Sequence, residues 1–404
     1  MATKLNAEQQ LFVNTVSSNV LVSASAGSGK TTTMIEKLKK LIISDKVPVE
    51  NLLVVTFTEA AASEMKQKLN LKLQAEIANL DLTESELNYF YEQLFQISTA
   101  DIGTLHSVCR KIVSKYFYEV NIEPSFSILT NEEYLNLFNE AIEKTFSEYI
   151  EKADEEFYLI YESFNDKRNN VKLKNIITSI YNFLSEKSDP NKFVNFCLEE
   201  CLNTNLNTNI CATYVFNYFK ASIKKFIQEI KDYKSVINHE KLSAYLLNLE
   251  KEVLALNNAE NFVEFINVLN NFKAPTLYNP KQPELSVVFE NLKTSVDGFK
   301  SGVIGKAKKS IGSIDSDSFL EVTNNLKTHY KKLFEVANRV REFYSKLKRD
   351  IGKLDFSDLQ ILALKILENE TIAAELKNNY KYIFVDEYQD INQIQEDILL
   401  RLSN

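Results

Sequence analysis

Four short apolar runs bounded by turn residues punctuate the chain, at Val20–Ser23, Leu52–Phe57, Ile97–Thr104 and Tyr382–Asp386. Each has the length and composition of a buried strand. The first three alternate with helical periodicity over Thr31–Ser44 and Glu59–Ile77. Strand, helix, strand, helix, strand predicts a parallel α/β unit. From about 128 to 350 the apolar residues recur at helical spacing instead. Tyr134, Leu137, Phe138, Ile142 and Phe146 form one stripe, and Tyr214, Tyr218, Phe219, Ile223 and Phe226 begin another. A third runs from Phe319 through Val322, Leu326, Tyr330, Leu333, Val336 and Val340 to Phe343, roughly seven turns. No fixed-period repeat is visible. The pattern predicts a helical domain inserted into an α/β domain. Residues 1–125 are its first part, 126–350 the helical insertion and 351–404 the return segment. Pro275, Pro280 and Pro283 precede Gly298, Gly302, Gly305 and Gly312, so 272–316 is expected to be irregular or mobile.

Composition narrows the picture. The chain has 404 residues, enough for more than one core without staples. Gly (8) and Pro (6) are too few for an all-β chain with many turns. Lys+Arg is 47 against Asp+Glu 55, a net charge of −8. That total excludes coating nucleic acid through bulk charge, so any such contact must be a local groove. The N-terminus has no apolar signal core, and no apolar run approaches the ~18 residues of a membrane span. A soluble cytoplasmic protein without membrane contact is expected. Cys109, Cys197, Cys201 and Cys211 read as reduced thiols. Cys197 and Cys201 are one helical turn apart. There is no second pair at zinc-like spacing, and His106, His239 and His329 are scattered, so no metal site is expected among the cysteines.

The chemistry concentrates in two places. Ser23-Ala24-Ser25-Ala26-Gly27-Ser28-Gly29-Lys30-Thr31-Thr32 follows a predicted strand and opens a predicted helix. In a phosphate-binding loop, backbone N–H groups wrap the phosphates and the helix N-terminus adds partial positive charge. Lys30 would reach the outer phosphates and Thr31 would offer its hydroxyl to Mg²⁺. Ala24 breaks the general G-x-x-x-x-G-K-[ST] pattern at its first position, while Gly27 and Gly29 keep the backbone permissive. Ala26, Gly27, Ser28, Gly29, Lys30, Thr31 and Thr32 are the nucleotide-binding candidates, with ATP as ligand. The second place is Ile383-Phe384-Val385-Asp386-Glu387, an apolar strand ending in two acids. Asp386 would hold Mg²⁺ together with Thr31, and Glu387 would orient and deprotonate the attacking water. Lys30 and Glu387 are the catalytic candidates. An acidic pair after a strand is more often a plain helix start; its company with the loop favours chemistry.

Asp386-Glu387-Tyr388-Gln389-Asp390 resembles motif II of the UvrD-like superfamily 1 helicases. Other segments resemble that family's motifs in the same order. Leu5-Asn6-Ala7-Glu8-Gln9 is similar to the segment whose glutamine reads the adenine edge, which implies that role for Gln9. Thr56-Phe57-Thr58-Glu59-Ala60-Ala61 resembles motif Ia and Gly103-Thr104-Leu105-His106 motif Ib, both of which line the single-stranded DNA path. Thr56, Phe57, Thr58, Thr104 and His106 are therefore the DNA-binding candidates. Phe57 would be a stacking platform, and the hydroxyls and His106 would meet phosphates. Leu354-Asp355-Phe356-Ser357-Asp358-Leu359 resembles a segment that precedes motif II. The alanine in the loop and the long helical insert look most like the AddA and RecB branch.

The resemblance implies an incomplete RecA-like phosphate-loop sheet carrying a large all-helical insertion. It implies ATP-driven 3′-to-5′ translocation on single-stranded DNA, contact with duplex DNA, double-strand-break repair and an AddB-like partner protein. Motif III, a second RecA-like domain and a nuclease domain do not occur in these 404 residues. The expectation is a chain that is not motor-competent alone. The family's strand after motif II normally lies between the phosphate-loop and motif II strands, so a central strand would be missing. The rival expectation is a non-catalytic ATP- or DNA-binding piece of a split or truncated gene. Lys300, Lys306, Lys308 and Lys309 read as a solvated basic loop, or as an arm that touches duplex DNA.

Overall fold

A computed structural model describes residues 5–16, 19–25, 27–78, 82–164, 170–280 and 282–403. The fold is mostly helical with a small parallel sheet. The chain divides into two units. One contains the chain up to Phe146, Thr178–Ser188 and the chain from Arg339 onward; the other contains Ser147–Ile177 and Asp189–Asn338.

The first unit is built on β1 (Leu52–Thr56), with β2 (Ile102–Thr104) on one side and the strand Tyr382–Val385 on the other. All three are parallel, with Val54 opposite both Ile102 and Phe384. Alternate residues of β1 face opposite ways, as the strand period requires. Leu53 and Val55 pack on the helices Leu105–Lys115, Phe356–Ile366 and Gln393–Leu402. Leu52 and Val54 pack on the helices Lys30–Ile43 and Glu59–Ile77. Helices thus cover both faces, which is why the apolar run at Leu52 is unbroken rather than alternating. A two-residue ladder joins β3 (Ser127–Ile128) to β4 (Lys353–Leu354), and the Tyr382–Val385 strand is β5.

The strand expected at Val20–Ser23 does not form. Residues 19–25 have no regular structure, and Val20, Leu21 and Val22 are 47%, 83% and 48% exposed. The physical reason is the want of a ladder partner. β5 ends the sheet among the described residues, and an isolated strand has nothing to hold it. The run expected as a strand over Ile97–Thr104 is a strand only from Ile102, after a turn.

The second unit is helical and has its own core, centred on Phe216, Phe226, Phe265 and Phe299. Here the expected irregular stretch 272–316 is largely helix. Ser286–Gly298, a π-helical segment Phe299–Gly305 and Lys306–Ile311 follow one another. Phe299 stacks on Phe226 with ring centroids 3.9 Å apart, and Ile304 is also buried. The wide π turn lets both point into the core. Only the later glycines serve close approach, since a Cβ on Gly298 or Gly302 would meet open space. A Cβ on Gly312 would sit 2.5 Å from the Lys308 carbonyl oxygen and 2.9 Å from Asn270 Oδ1. The basic residues do not form one loop. Lys308 points at the carbonyls of Asn270 and Phe272, at the end of the helix Phe262–Asn271.

Candidate nucleotide site

The loop enters the Lys30–Ile43 helix through two residues with left-handed backbone, Gly27 at φ +77° and Gly29 at φ +88°. Any side chain there would be strained. Gly29 caps the helix with its carbonyl, which accepts from Thr33 N–H and from Thr33 Oγ1, each at 2.9 Å. No side chain caps the first-turn N–H groups, so that end suits an anion. Ala26 lies outside the described residues. Ser28, Lys30, Thr31 and Thr32 take up the loop's exit and the first helical turn.

Gln9 is brought to this loop. The helix Ala7–Asn14 opens with a reciprocal cap, Asn6 Oδ1 accepting from Gln9 N–H at 2.8 Å and Gln9 Oε1 from Asn6 N–H at 2.9 Å. The Gln9 amide then donates to the Ser28 carbonyl at 3.2 Å. One residue that sequence reasoning missed fastens this helix. Lys37 is 3% exposed and its ammonium donates to the carbonyls of Val13, at 3.0 Å, and Thr15. Burial lowers its pKa from the usual lysine value. Its place in a Lys-Leu-Lys-Lys run suggests surface. The signal against that is spacing: Thr33, Lys37 and Leu41 are one turn apart on the buried face.

The two acids arrive from the other end of the chain. Asp386 N–H still donates to Val55 O at 2.9 Å, so the ladder with β1 carries the first acid to the sheet's C-terminal edge. Ligands of parallel α/β sheets bind at that edge. Glu387 has left-handed backbone, φ +52° and ψ +51°, which costs a non-glycine residue about 1 kcal/mol or more. Its carbonyl accepts from Asp390 N–H at 2.9 Å, closing a short 3₁₀ turn at Tyr388–Asp390. Its carboxylate takes a bond from Gln389 Nε2 at 2.5 Å and faces Lys30 Nζ at 3.5 Å. The Gln389 bond, then the Lys30 charge, hold the Glu387 carboxyl below the usual range. Asp386 goes the other way, raised by burial and then by the neighbouring Glu387 charge. An acid so placed is a fit ligand for a divalent cation, whose charge would relieve the repulsion.

The DNA candidates cluster at the ends of β1 and β2 but differ in availability. Phe57 is 68% exposed. Thr56 and Thr104 are buried, Thr56 Oγ1 donating to Thr58 O at 3.0 Å and Thr104 Oγ1 to Glu59 at 2.6 Å. Thr58 and Thr104 cap the helices that follow them, accepting from Ala61 and Ser107 N–H. His106 Nε2 lies 2.7 Å from Gln360 Nε2, and its ring meets Phe356 edge-on. A glutamine amide donor makes that ring nitrogen the acceptor, leaving Nδ1 as the donor. Burial holds the His106 pKa below its usual value, so the ring is neutral at pH 7. Gln360 was not visible as a site residue in the sequence, being one of several polar positions on its helix.

The order of these elements and the meeting of Lys30 with Glu387 agree with a sequence-family match. The pattern of the UvrD/REP helicase N-terminal domain matches residues 5–404. The chain belongs to that family. Among curated relatives, the AddA-type ATP-dependent helicase/nuclease protein of Syntrophomonas wolfei is 31% identical, covering 97% of this chain and 32% of the relative. Its counterpart in Ligilactobacillus salivarius is 31% identical over 99% of this chain and 33% of the relative. The one in Listeria monocytogenes is 30% identical over 98% and 33%. The chain therefore spans about a third of the length of these relatives. No described helix is long and apolar enough to cross a membrane.

Proposed function

We propose that this chain is the N-terminal ATP-binding part of an ATP-dependent DNA helicase of the AddA and UvrD type, acting in recombinational repair of double-strand breaks. The observation that carries the reading is the approach of Lys30 Nζ to Glu387 Oε1 at 3.5 Å. It joins a glycine loop with two left-handed residues to an acidic pair at the edge of a parallel sheet. Residues 27–32 cradle the nucleotide phosphates, and Gln9 sits where a base edge would be read. Thr31 and Asp386 would hold Mg²⁺, which when bound would neutralise phosphate charge. Glu387 takes a proton from the attacking water. Its lowered pKa keeps it ionised at neutral pH, as a base must be. Phe57 offers an exposed ring to single-stranded DNA.

The sheet is a RecA-like sheet lacking an inner strand. The edge of β5, unpaired among the described residues, and the exposed Val20–Val22 support this. In the full-length relatives, about three times longer, the remaining length would supply that strand, the second RecA-like domain and its arginine fingers. Translocation from 3′ to 5′ and pairing with an AddB-like protein belong to that whole assembly. By itself the chain should show at most trace ATPase and no strand separation. The test uses the chain with and without a restored second domain, assayed for nucleotide binding, ATP hydrolysis and unwinding of a 3′-tailed duplex. Lys30→Ala should weaken MgATP binding. Glu387→Gln should keep binding and lose hydrolysis. Undiminished hydrolysis by Glu387→Gln would remove Glu387 from the mechanism. Unwinding by residues 1–404 alone would overturn the incomplete-motor reading.

A further inference from the structure

His106 stands in the first turn of the helix Leu105–Lys115, just past the end of β2, and one neighbouring helix grips its ring. Phe356 and Gln360 lie about one turn apart on the helix Phe356–Ile366. Phe356 meets the His106 ring edge-on, with centroids 5.0 Å apart, and Gln360 Nε2 lies 2.7 Å from His106 Nε2. Gln360 is 5% exposed and His106 half-buried, so Nε2 is turned toward a buried partner. The gripping helix is itself pinned at its first turn. Asp355 Oδ1 accepts from Asp358 N–H at 2.8 Å, and Asp358 Oδ2 accepts from Asp355 N–H at 2.9 Å. Lys348 Nζ bridges the two carboxylates at 2.7 and 2.5 Å. Among the described residues no hydrogen bond engages His106 Nδ1. The charge that acts on the ring is the Glu59 carboxylate, from the helix Glu59–Ile77, which already accepts from Thr104 Oγ1 at 2.6 Å.

We propose that Gln360 is a positioning residue for DNA binding: it holds the His106 ring neutral with its proton on Nδ1, so that Nδ1–H donates to a phosphate of the single strand. This role rests on the reading of the β2 end as part of a DNA path. The amide decides where the proton sits. An NH₂ group can only donate, so Nε2 keeps its lone pair and Nδ1 carries the hydrogen. Burial beside an uncharged amide disfavours the imidazolium, and it outweighs the opposite pull of Glu59. A neutral donor gives the phosphate a directed hydrogen bond with no added charge, so the contact contributes affinity without releasing a counterion. Methionine at 360 would keep the length of the side chain and remove the donor, freeing the ring proton to move to Nε2. Glutamate at 360 would set a carboxylate against Nε2 and make the pair titrate at higher pH than the parent ring.

The test reads the ring nitrogens and the DNA affinity of the full chain. The chain has 3 histidines, so selective nitrogen-15 histidine labelling, with His106→Asn for assignment, isolates the His106 signals by NMR. Near neutral pH the parent should show Nδ1 protonated and Nε2 bare, and Gln360→Met should lose that pattern. Single-stranded DNA binding, followed by fluorescence anisotropy across a salt series, should weaken about tenfold in Gln360→Met with the salt slope unchanged. Gln360→Glu should bind progressively worse than the parent as pH rises from about 6 to 9, because the pair then loses its proton and sets a net negative charge beside the phosphate. Nε2–H in the parent would overturn the proposal, and that measurement needs no variant to fold. Parent-like affinity in Gln360→Met would overturn it too. So would a salt slope smaller by about 1 in that variant, which would mean a charged ring. Failure of the DNA reading looks different: the parent then shows the expected tautomer, its binding is indifferent to salt and to Phe57→Ala, and the role of Gln360 falls with that reading.

Discussion

Replacing Lys37 with Met removes an ammonium while keeping an unbranched apolar stem of similar length. The helix it fastens, Ala7–Asn14, has few other holds. Val13 is its one buried residue, and Leu11 is 70% exposed. Burying a valine is worth about 1.5 kcal/mol, and the Gln9 bond to Ser28 about 1 kcal/mol. A hydrogen bond from a charged donor contributes about 1.5–3 kcal/mol, and Lys37 makes two to the end of this helix. The ammonium therefore supplies half or more of the docking energy, about 3 kcal/mol. An eight-residue helix has no stability of its own in water. Lys37→Met should accordingly raise the opening population of this helix by about 100-fold, since 1.4 kcal/mol is tenfold. Hydrogen exchange followed by mass spectrometry reads it directly. Amides from Gln10 to Thr15 should exchange faster by about that factor, while those of Leu52–Thr56 keep their protection. MgATP affinity should fall as well, because Gln9 is no longer held at Ser28. Unchanged exchange over Gln10–Thr15 would refute the anchor. Equal loosening of Leu52–Thr56 would mean that Lys37 serves the whole unit instead.

Asp386→Asn should give a sign change with Mg²⁺. Because the Asp386 pKa is raised on folding, its contribution is present below the unfolded value and is lost as pH rises through the folded one. At pH 7 without Mg²⁺ the variant should melt no lower than the parent; with MgATP it should lose the ligand-induced rise in melting temperature. A lower melting temperature without Mg²⁺ would contradict this. Phe57→Ala should leave stability unchanged, since the ring is exposed, yet weaken single-stranded DNA binding by about 1–3 kcal/mol in a salt titration. Lys348→Met should be severe. Lys348 is 3% exposed, lies 2.7 Å from Asp355 and 2.5 Å from Asp358, and sits 4.2 Å from the Tyr344 ring centre. Leaving those carboxylates unpaired costs about 3–5 kcal/mol, which urea denaturation at neutral pH would measure.

The parts legible in the sequence were those whose information is local. The loop at Gly27–Thr31 and the Asp386–Glu387 pair are each contiguous, and Lys30 and Glu387 do approach each other, at 3.5 Å. Helical stripes were legible in part: Phe219, Ile223 and Phe226 are buried as expected, but Tyr214 and Tyr218, placed on the same stripe, are exposed and Phe216 takes the buried position instead. What escaped depended on partners distant in sequence. Val20–Ser23 has strand composition, but a strand exists only where another offers a ladder. The β3–β4 ladder is two residues long on each side and has no pattern to find. Gly305 and Gly312 read as breakers because turn and close-packing glycines look alike in one sequence. Lys37 and Gln360 were hidden for a related reason, since a buried polar residue is intelligible only beside the group it satisfies.

The left-handed backbone at Glu387 sets stability against chemistry in this chain. Glycine adopts that conformation freely, and asparagine tolerates it better than most residues. Either replacement at Glu387 would relieve strain, and either would remove the carboxylate whose charge acts on Asp386. A laboratory selection for thermal endurance, blind to turnover, would therefore drift toward Glu387→Gly or Glu387→Asn. It would harvest a sturdier protein that lacks the carboxylate proposed as the base. Engineering of this scaffold has to hold that residue fixed and seek its gains elsewhere.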